Sequence, residues 1–235
     1  RRLRALIPVS LVAWVIYTAV TYPVLFTSFG LLGLAHGAIY ALIGLGFATT
    51  NQLGRFINFS HGDVFMLGAV AATWLGVRIL HAPPHSARGV VIVLLTVVVS
   101  ALVGMIFSCA AELLVFRRVR RATRMVAVVA SVGVALIWQN VGIKWNGSGT
   151  RKFTPVLPEV NLYIDVHSVL VHTLSTLAIS VPALVIALVV ITRTSLGRGM
   201  RAVGEDPDAA SMLGVDVGRM VFAAFALAGA CAGVA

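Results

Sequence analysis

Charge-free apolar stretches recur along this chain at bilayer-crossing length, and no other feature restricts its fold as much. A helix needs about 20 predominantly apolar residues to cross the hydrocarbon core. Ala5–Thr27, Phe29–Thr50, Gly89–Ala111, Met125–Ile143 and Val166–Thr192 each supply such a run, and Met220–Ala235 reads as the first part of another. Gly89–Ala111 has room to continue to Phe116, and Pro182 is expected to kink Val166–Thr192. Phe56–Val77 is less regular. Its charge-free part, Val64–Val77, is too short to span alone, and Asn58, Ser60, His61 and Asp63 stand at its start. It is read as a seventh crossing entered through a polar, broken segment, which is tolerated at membrane depth only where protein or water covers it. The expected fold class is therefore all-α: a polytopic transmembrane helix bundle of about seven spans, the last truncated. Residues 1–235 form a single transmembrane domain.

Only 11% of the 235 residues are charged, against roughly 25% in soluble domains. That excludes an ordinary water-soluble enzyme, a disordered chain and a disulfide scaffold. Cys109 and Cys231 sit inside apolar runs and read as small hydrophobes, with no metal-ligand spacing. The net charge of +10 is not a nucleic-acid signal here. With the N-terminus cytoplasmic and seven alternating spans, Arg1, Arg2, Arg4, Arg55, Arg117, Arg118, Arg120, Arg121, Arg124, Arg193, Arg198, Arg201 and Arg219 fall inside, and only Arg78, Arg88, Lys144, Arg151 and Lys152 fall outside. This is the asymmetry of the positive-inside rule. Without the irregular crossing, the Arg117–Arg124 cluster would move outside. The N-terminal run is read as an uncleaved first helix. The chain opens at Arg1 without a Met and stops at Ala235 inside an apolar run, so both ends are expected to be incomplete.

Some positions carry more than hydrophobicity. Gly33, Gly37 and Ala41, then Gly44 and Ala48, and again Gly229 and Gly233, follow small-xxx-small spacing and are expected to pack helices internally. His36 and Tyr40 share one face, either as an interhelical hydrogen bond or as part of a polar path. Ser60 and Asp63 have capping-box spacing, which leaves Asn58 and His61 unexplained where the membrane begins. Glu112 is expected to reach the interface and pair with one of the arginines after it. Gln139 and Asn140 read as a helix–helix hydrogen bond or as the outer mouth of a path. The loop Lys144–Asp165 is turn-rich and too short to be a domain.

The most specific segment is the inside loop, residues 193–219. Asp206 is a good N-cap, Pro207 suits the first helical position, Asp208 complements the dipole and Gly214 is a natural stop. The product is a short helix, Pro207–Leu213, exposing Ala209, Ala210, Met212 and Leu213. Two turns are not stable alone in water, so this helix must dock. A partner protein's groove is favoured; its own bundle and the lipid surface are the alternatives.

At this point the chain resembles the permease family of branched-chain amino-acid ABC importers. Asp208-Ala209-Ala210-x-x-x-Gly214 is similar to the Glu-Ala-Ala-x-x-x-Gly core by which ABC permeases engage their ATPases, with Leu196-Gly197-Arg198-Gly199-x-Arg201-Ala202-Val203 before it. Ile57-Asn58-Phe59-Ser60-His61-Gly62-Asp63 resembles the family's Ile-Asn-Phe-Ala-His-Gly-Glu segment. Gly37–Gly46, Ala130–Gly133 and Gln139-Asn140 fit the same pattern, so the resemblance covers most of Leu31–Ala235. Departures are Asp208 for Glu, Ser60 for Ala, Leu113 where the family often has Arg, and Arg117-Arg118-Val119-Arg120 for Arg-Pro-Leu-Arg.

The resemblance implies a bacterial inner-membrane, multi-pass importer subunit that is not itself an enzyme. Its partners would be cytoplasmic ABC ATPase subunits, a second permease subunit, same or related, an external solute-binding protein and membrane lipid. No cofactor or metal is implied for this chain; the partner subunits would use ATP, and the Gly-x-x-x-x-Gly-Lys-Ser/Thr phosphate loop does not occur in it. Residues 193–219 would be the cytoplasmic coupling loop, with Gly204, Glu205, Asp206, Asp208, Ala209, Ala210, Leu213 and Gly214 as the ATPase-coupling residues. His36, Tyr40, Asn58, His61, Gln139 and Asn140 would be substrate-path candidates for branched-chain or related small amino acids. The competing reading is a self-sufficient secondary transporter or channel for a small polar solute such as urea or an amide. No Asp, Glu, Lys or Arg lies mid-span, which disfavours ion coupling, although His36 and His172 keep it open. No catalytic grouping appears within the spans.

Overall fold

The computed structural model describes residues 10, 14–76, 89–120, 122–147, 149 and 167–235, and among them every regular element is helical. Among the described residues, five helical stretches are long and apolar enough to cross a membrane: Pro23–Gly54, Gly89–Val119, Arg124–Asn146, Thr173–Arg193 and Val217–Val234. The expected count of seven is not established. Residues 5–9 and 11–13 of the expected span Ala5–Thr27, the segment 77–88, most of Lys144–Asp165 and the His172 side chain lie outside the described residues.

Helix α1 is Pro23–Gly54, and residues 14–21 before it are helical. The boundary expected at Ser28 therefore moves to Tyr22, whose φ of -134° and ψ of 64° leave the helical region. Proline is the cause. It crowds the preceding residue out of the α region and is itself suited to the first helical turn. Nothing at Ser28 breaks the ladder, because its hydroxyl donates back to the Val24 carbonyl at 2.9 Å.

Helix α2, His61–Trp74, follows the irregular residues 55–60 and is 14 residues long, about 21 Å. This α-helical part is too short to span alone, as was expected of the charge-free stretch Val64–Val77. Helix α3, Gly89–Ala111, runs on through a π-helical turn, Glu112–Phe116, and a final turn, Arg117–Val119. Helix α4 is Arg124–Asn146, so Lys144 lies inside its last turn rather than beyond it. Helix α5 is His167–Arg193 and carries Pro182 without being ended by it. Helices α6 (Ser195–Glu205) and α7 (Pro207–Met212) form the loop that leads to α8, Val217–Val234.

Small residues hold the bundle together. Lipid offers no hydrophobic drive between helices, so dispersion and weak hydrogen bonds must be gained by close backbone approach. The α3–α8 seam does this: a Cβ on Gly104 would collide with the Gly229 carbonyl and lie 3.1 Å from Gly233 Cα. On α2, a Cβ on Gly68 would lie 2.9 Å from Gly233 Cα. Ser108 Oγ donates to the Phe225 carbonyl at 2.7 Å across the same seam. Gly229 and Gly233 thus pack internally, as expected.

The first small-residue stripes do not. Gly33, Gly37, Ala41, Gly44 and Ala48 all lie on the exposed face of α1, and none of the three glycines has an atom within 4 Å of an added Cβ. Burial on α1 instead follows Ala35, Ala38, Leu42, Gly46, Thr49 and Leu53. Both sets repeat every three or four residues, so spacing alone did not distinguish the faces. Cys231 is buried, Cys109 is half-buried, and both are free thiols.

Candidate functional site

One end of the bundle gathers the arginine-bearing termini. Leu53, Phe116, Met200, Val203, Ala210 and Phe225 form one buried cluster there. The Phe116 ring lies 5.0 Å from Phe56 and 5.5 Å from Phe225, centroid to centroid. Arg55 donates to the Glu205 carbonyl at 3.0 Å, tying the end of α1 to the end of α6. Glu112 pairs with Arg120, as expected, but it is 1% exposed rather than interfacial, and its Oε2 has no partner. The backbone widens into the π turn at this carboxylate, a local distortion of the kind common at functional sites.

The loop 193–219 is built residue by residue. Thr194 caps α6 by accepting from the Gly197 amide at 3.1 Å. Gly197 presses against the Val190 and Ile191 carbonyls, where no side chain fits. Met200 and Val203, at helical spacing, anchor α6 in the cluster. A Cβ on Gly204 would stand 2.9 Å from Gln52 Nε2, so α6 ends close against the Gln52 side chain of α1. Asp206 is extended; its Oδ1 accepts from the Asp208 amide at 2.9 Å and the Ala209 amide at 3.2 Å. Pro207 follows at the first helical position. At the other end Gly214, φ +84°, turns the chain. Its amide donates to Ser211 and the Val215 amide to Ala210, both at 3.0 Å. This pair of bonds is a complete Schellman stop.

Helix α7 therefore ends at Met212, one residue before the expected Leu213. One expectation is overturned: Ala210 is not exposed but 2% accessible, packed in the cluster. A two-turn helix needs an anchor, and the methyl group of Ala210 is small enough to let α7 lie on its own bundle. Asp208 and Ala209 face outward. Met212 and Leu213 stand 86% and 83% exposed, large apolar groups outside every span-length helix.

The polar entry to α2 forms a second constellation. Asn58, Ser60 and His61 are all buried. The expected capping box is absent: Ser60 is already helical, at φ -73° and ψ -7°, and makes no side-chain cap bond. Asn58 takes over, its Oδ1 accepting from the Ser60 amide at 3.2 Å and hydroxyl at 2.7 Å. The Asn58 amide donates to Asn51 Oδ1 at 3.1 Å. The Phe59 amide donates to Ser131 Oγ on α4 at 3.2 Å. His61 Nε2 donates to the Ile43 carbonyl at 3.3 Å, beside Gly46, while Nδ1 is buried without a partner. Gln139 Nε2 reaches Asp63 Oδ1 at 3.0 Å, which is the helix–helix hydrogen bond read from the sequence.

Not all path candidates join this group. Tyr40 is 70% exposed, and exposed His36 bonds only to its own helix, at Leu32. Asn140 likewise donates to Leu136 on its own helix. Asn51 and Ser131 belong to the constellation but were not among the path candidates: Ser131 entered only within the Ala130–Gly133 match, and Asn51 stands in a polar stretch with no pattern of its own. Helix α6 was also missed, although Thr194 with Leu196, Met200 and Val203 at helical spacing could have shown it.

These features define a class: a helical protein of the membrane whose arginine-bearing end carries a pinned, capped surface helix. The chain belongs to the family described as branched-chain amino acid transport system, permease component, which matches residues 29–235. It is similar to the high-affinity branched-chain amino acid transport system permease protein BraD of Pseudomonas aeruginosa, 26% identical over 86% of this chain and 67% of that protein. The proteins of the corresponding name, LivH, from Escherichia coli and Salmonella typhimurium are also 26% identical, with the same coverage. No solved structure matches the chain.

Proposed function

We propose that this chain is a membrane-spanning permease subunit of an ATP-binding-cassette importer for branched-chain or related small amino acids. Separate cytoplasmic ATPase subunits drive it, an external binding protein delivers substrate, and a second permease subunit completes the pathway. The observation that carries the reading is the pair Met212 and Leu213, held outward by a helix capped at both ends and anchored through Ala210. Rigidity and apolar exposure together suit a helix laid in a partner's groove. Because α7 shares its cluster with α8 and the ends of α1 and α3, a push on it reaches the spans directly.

This reading takes the arginine-bearing end as cytoplasmic, following the positive-inside rule, with the N-terminus inside and the chain in the bacterial inner membrane. Asn58, His61 and Gln139 are the path residues this reading retains, since a zwitterionic substrate needs polar groups in an apolar channel and His61 Nδ1 is buried and unsatisfied. His36 and Tyr40 face away from that group. The test is purification of the full-length chain from its native membrane in mild detergent, with mass spectrometry of what stays bound. Walker-type ATPases that co-purify, with uptake in liposomes that requires ATP, are the expected result. A chain that is alone and transports without ATP is a secondary transporter or channel, and the proposal fails.

A further inference from the structure

A second feature of the arginine-bearing end borders the coupling loop at Gly204 and is distinct from the exposed face of α7. Between the end of α1 and the start of α4 lies a cleft of about 490 Å³, lined by Asn51, Gln52, Arg55, Ile57, Arg124 and Gly204 among others. Its volume falls in the range of small-ligand sites, roughly 300–1,000 Å³. Arg55 and Arg124 both line it, beside the apolar Phe56 and Val128, and among the described residues no carboxylate lines it. Among the described residues, Arg124 has no protein acceptor, and Arg55 spends one nitrogen on the Glu205 carbonyl. Arg55 is also the one non-glycine residue with positive φ among the described residues, at 57°. Side chains seldom adopt this left-handed conformation. Here it ends α1, with the Arg55 amide bonded to the Asn51 carbonyl.

The surroundings indicate what the cleft faces. Met125, Val129, Val132 and Leu136 form an exposed apolar stripe at helical spacing, starting beside Arg124 and running up the span-length helix α4. Ile57 and Phe59, also exposed, are bonded to α4 through Ser131. The cleft and the stripe thus lie side by side on the first turns of α4, at the end of a span-length helix. Basic pockets of this kind between helices suit phosphate headgroups. A planar guanidinium matches a phosphate's oxygens in paired, charge-assisted hydrogen bonds.

We propose that the cleft binds the phosphate headgroup of an anionic phospholipid. Arg55 and Arg124 hold the phosphate, and the α4 stripe carries a chain. Since Arg55 also holds Glu205, an occupied cleft ties the lipid to the loop that precedes α7. The inference needs the membrane placement of α4 and not the ATPase coupling.

The experiment is native mass spectrometry of the full-length chain, equilibrated with mixed micelles of either phosphatidylglycerol or phosphatidylcholine. Phosphatidylglycerol is expected to survive mild delipidation, and phosphatidylcholine is not. Arg124→Gln and Arg55→Gln should each lower phosphatidylglycerol retention about five- to tenfold, and Arg124→Lys, which keeps the charge without the paired geometry, should restore only part of it. Arg198→Gln, outside the cleft, should leave it unchanged. Arg124→Gln removes an exposed side chain, so the fold tolerates it. Equal retention in Arg124→Gln and the unaltered chain overturns the proposal. Displacement by inorganic phosphate alone overturns the lipid as occupant and leaves a soluble-anion site. Loss of co-purifying protein with lipid retention intact shows instead that the cleft is a protein contact.

Discussion

Replacing Met212 and Leu213 together by Ser tests the coupling surface without disturbing the fold. Both side chains are more than four-fifths exposed, so the chain alone loses little packing when they shrink. Neither is the anchor of α7; that is Ala210. In a groove, a fully covered Met or Leu is worth about 1.5–3 kcal/mol. Two such groups would give about 3–6 kcal/mol if independent, but neighbours are not additive. A loss of about 3 kcal/mol is therefore the working figure, roughly a hundredfold in dissociation constant. The assay is titration of the purified ATPase subunits onto the chain in nanodiscs, followed by uptake in liposomes. Thermal aggregation of the variant alone should match the unaltered chain. An affinity within threefold of the unaltered value, with the fold intact, would refute the assignment of these side chains to the docking surface.

Ala210→Arg makes a contrasting prediction: the site is 2% exposed, so a buried charge should cost about 3–5 kcal/mol and unfold the loop itself. Thermal aggregation should fall along with ATPase binding. Gly104→Ala should lower the aggregation midpoint by the equivalent of about 1–3 kcal/mol, because its Cβ meets backbone of α8, whereas Gly37→Ala should not. Asn58→Ala strips the acceptor from the Ser60 amide and hydroxyl and should cost about 1–3 kcal/mol. If folded Asn58→Ala and His61→Ala material keeps normal uptake kinetics, both residues are helix-entry structure only. Thiol labelling of Arg198→Cys should proceed from the cytoplasmic side and that of Lys152→Cys from the external side; the reverse pattern inverts the topology.

Composition and run length alone determined that this chain is helical and crosses a membrane, because bilayer thickness sets a length that any reader of the sequence can count. Punctuation determined α7 almost to the residue: Asp206, Pro207 and Gly214 act through local backbone bonds that need no tertiary context. The partner of Glu112 among five nearby arginines could be narrowed but not chosen. Faces were decided only by the folded bundle. Gly33 and Gly229 stand in the same spacing, yet one faces outward and the other presses on the Gly104 carbonyl, since burial depends on which helix arrives from elsewhere in the chain. Ala210 passed from expected surface to anchor for the same reason. The Phe59–Ser131 and Gln139–Asp63 contacts join residues more than 70 positions apart, a separation that no local pattern encodes. Local hydrogen bonding and hydrophobic length are written residue by residue, whereas which side of a helix is covered is a property of its neighbours.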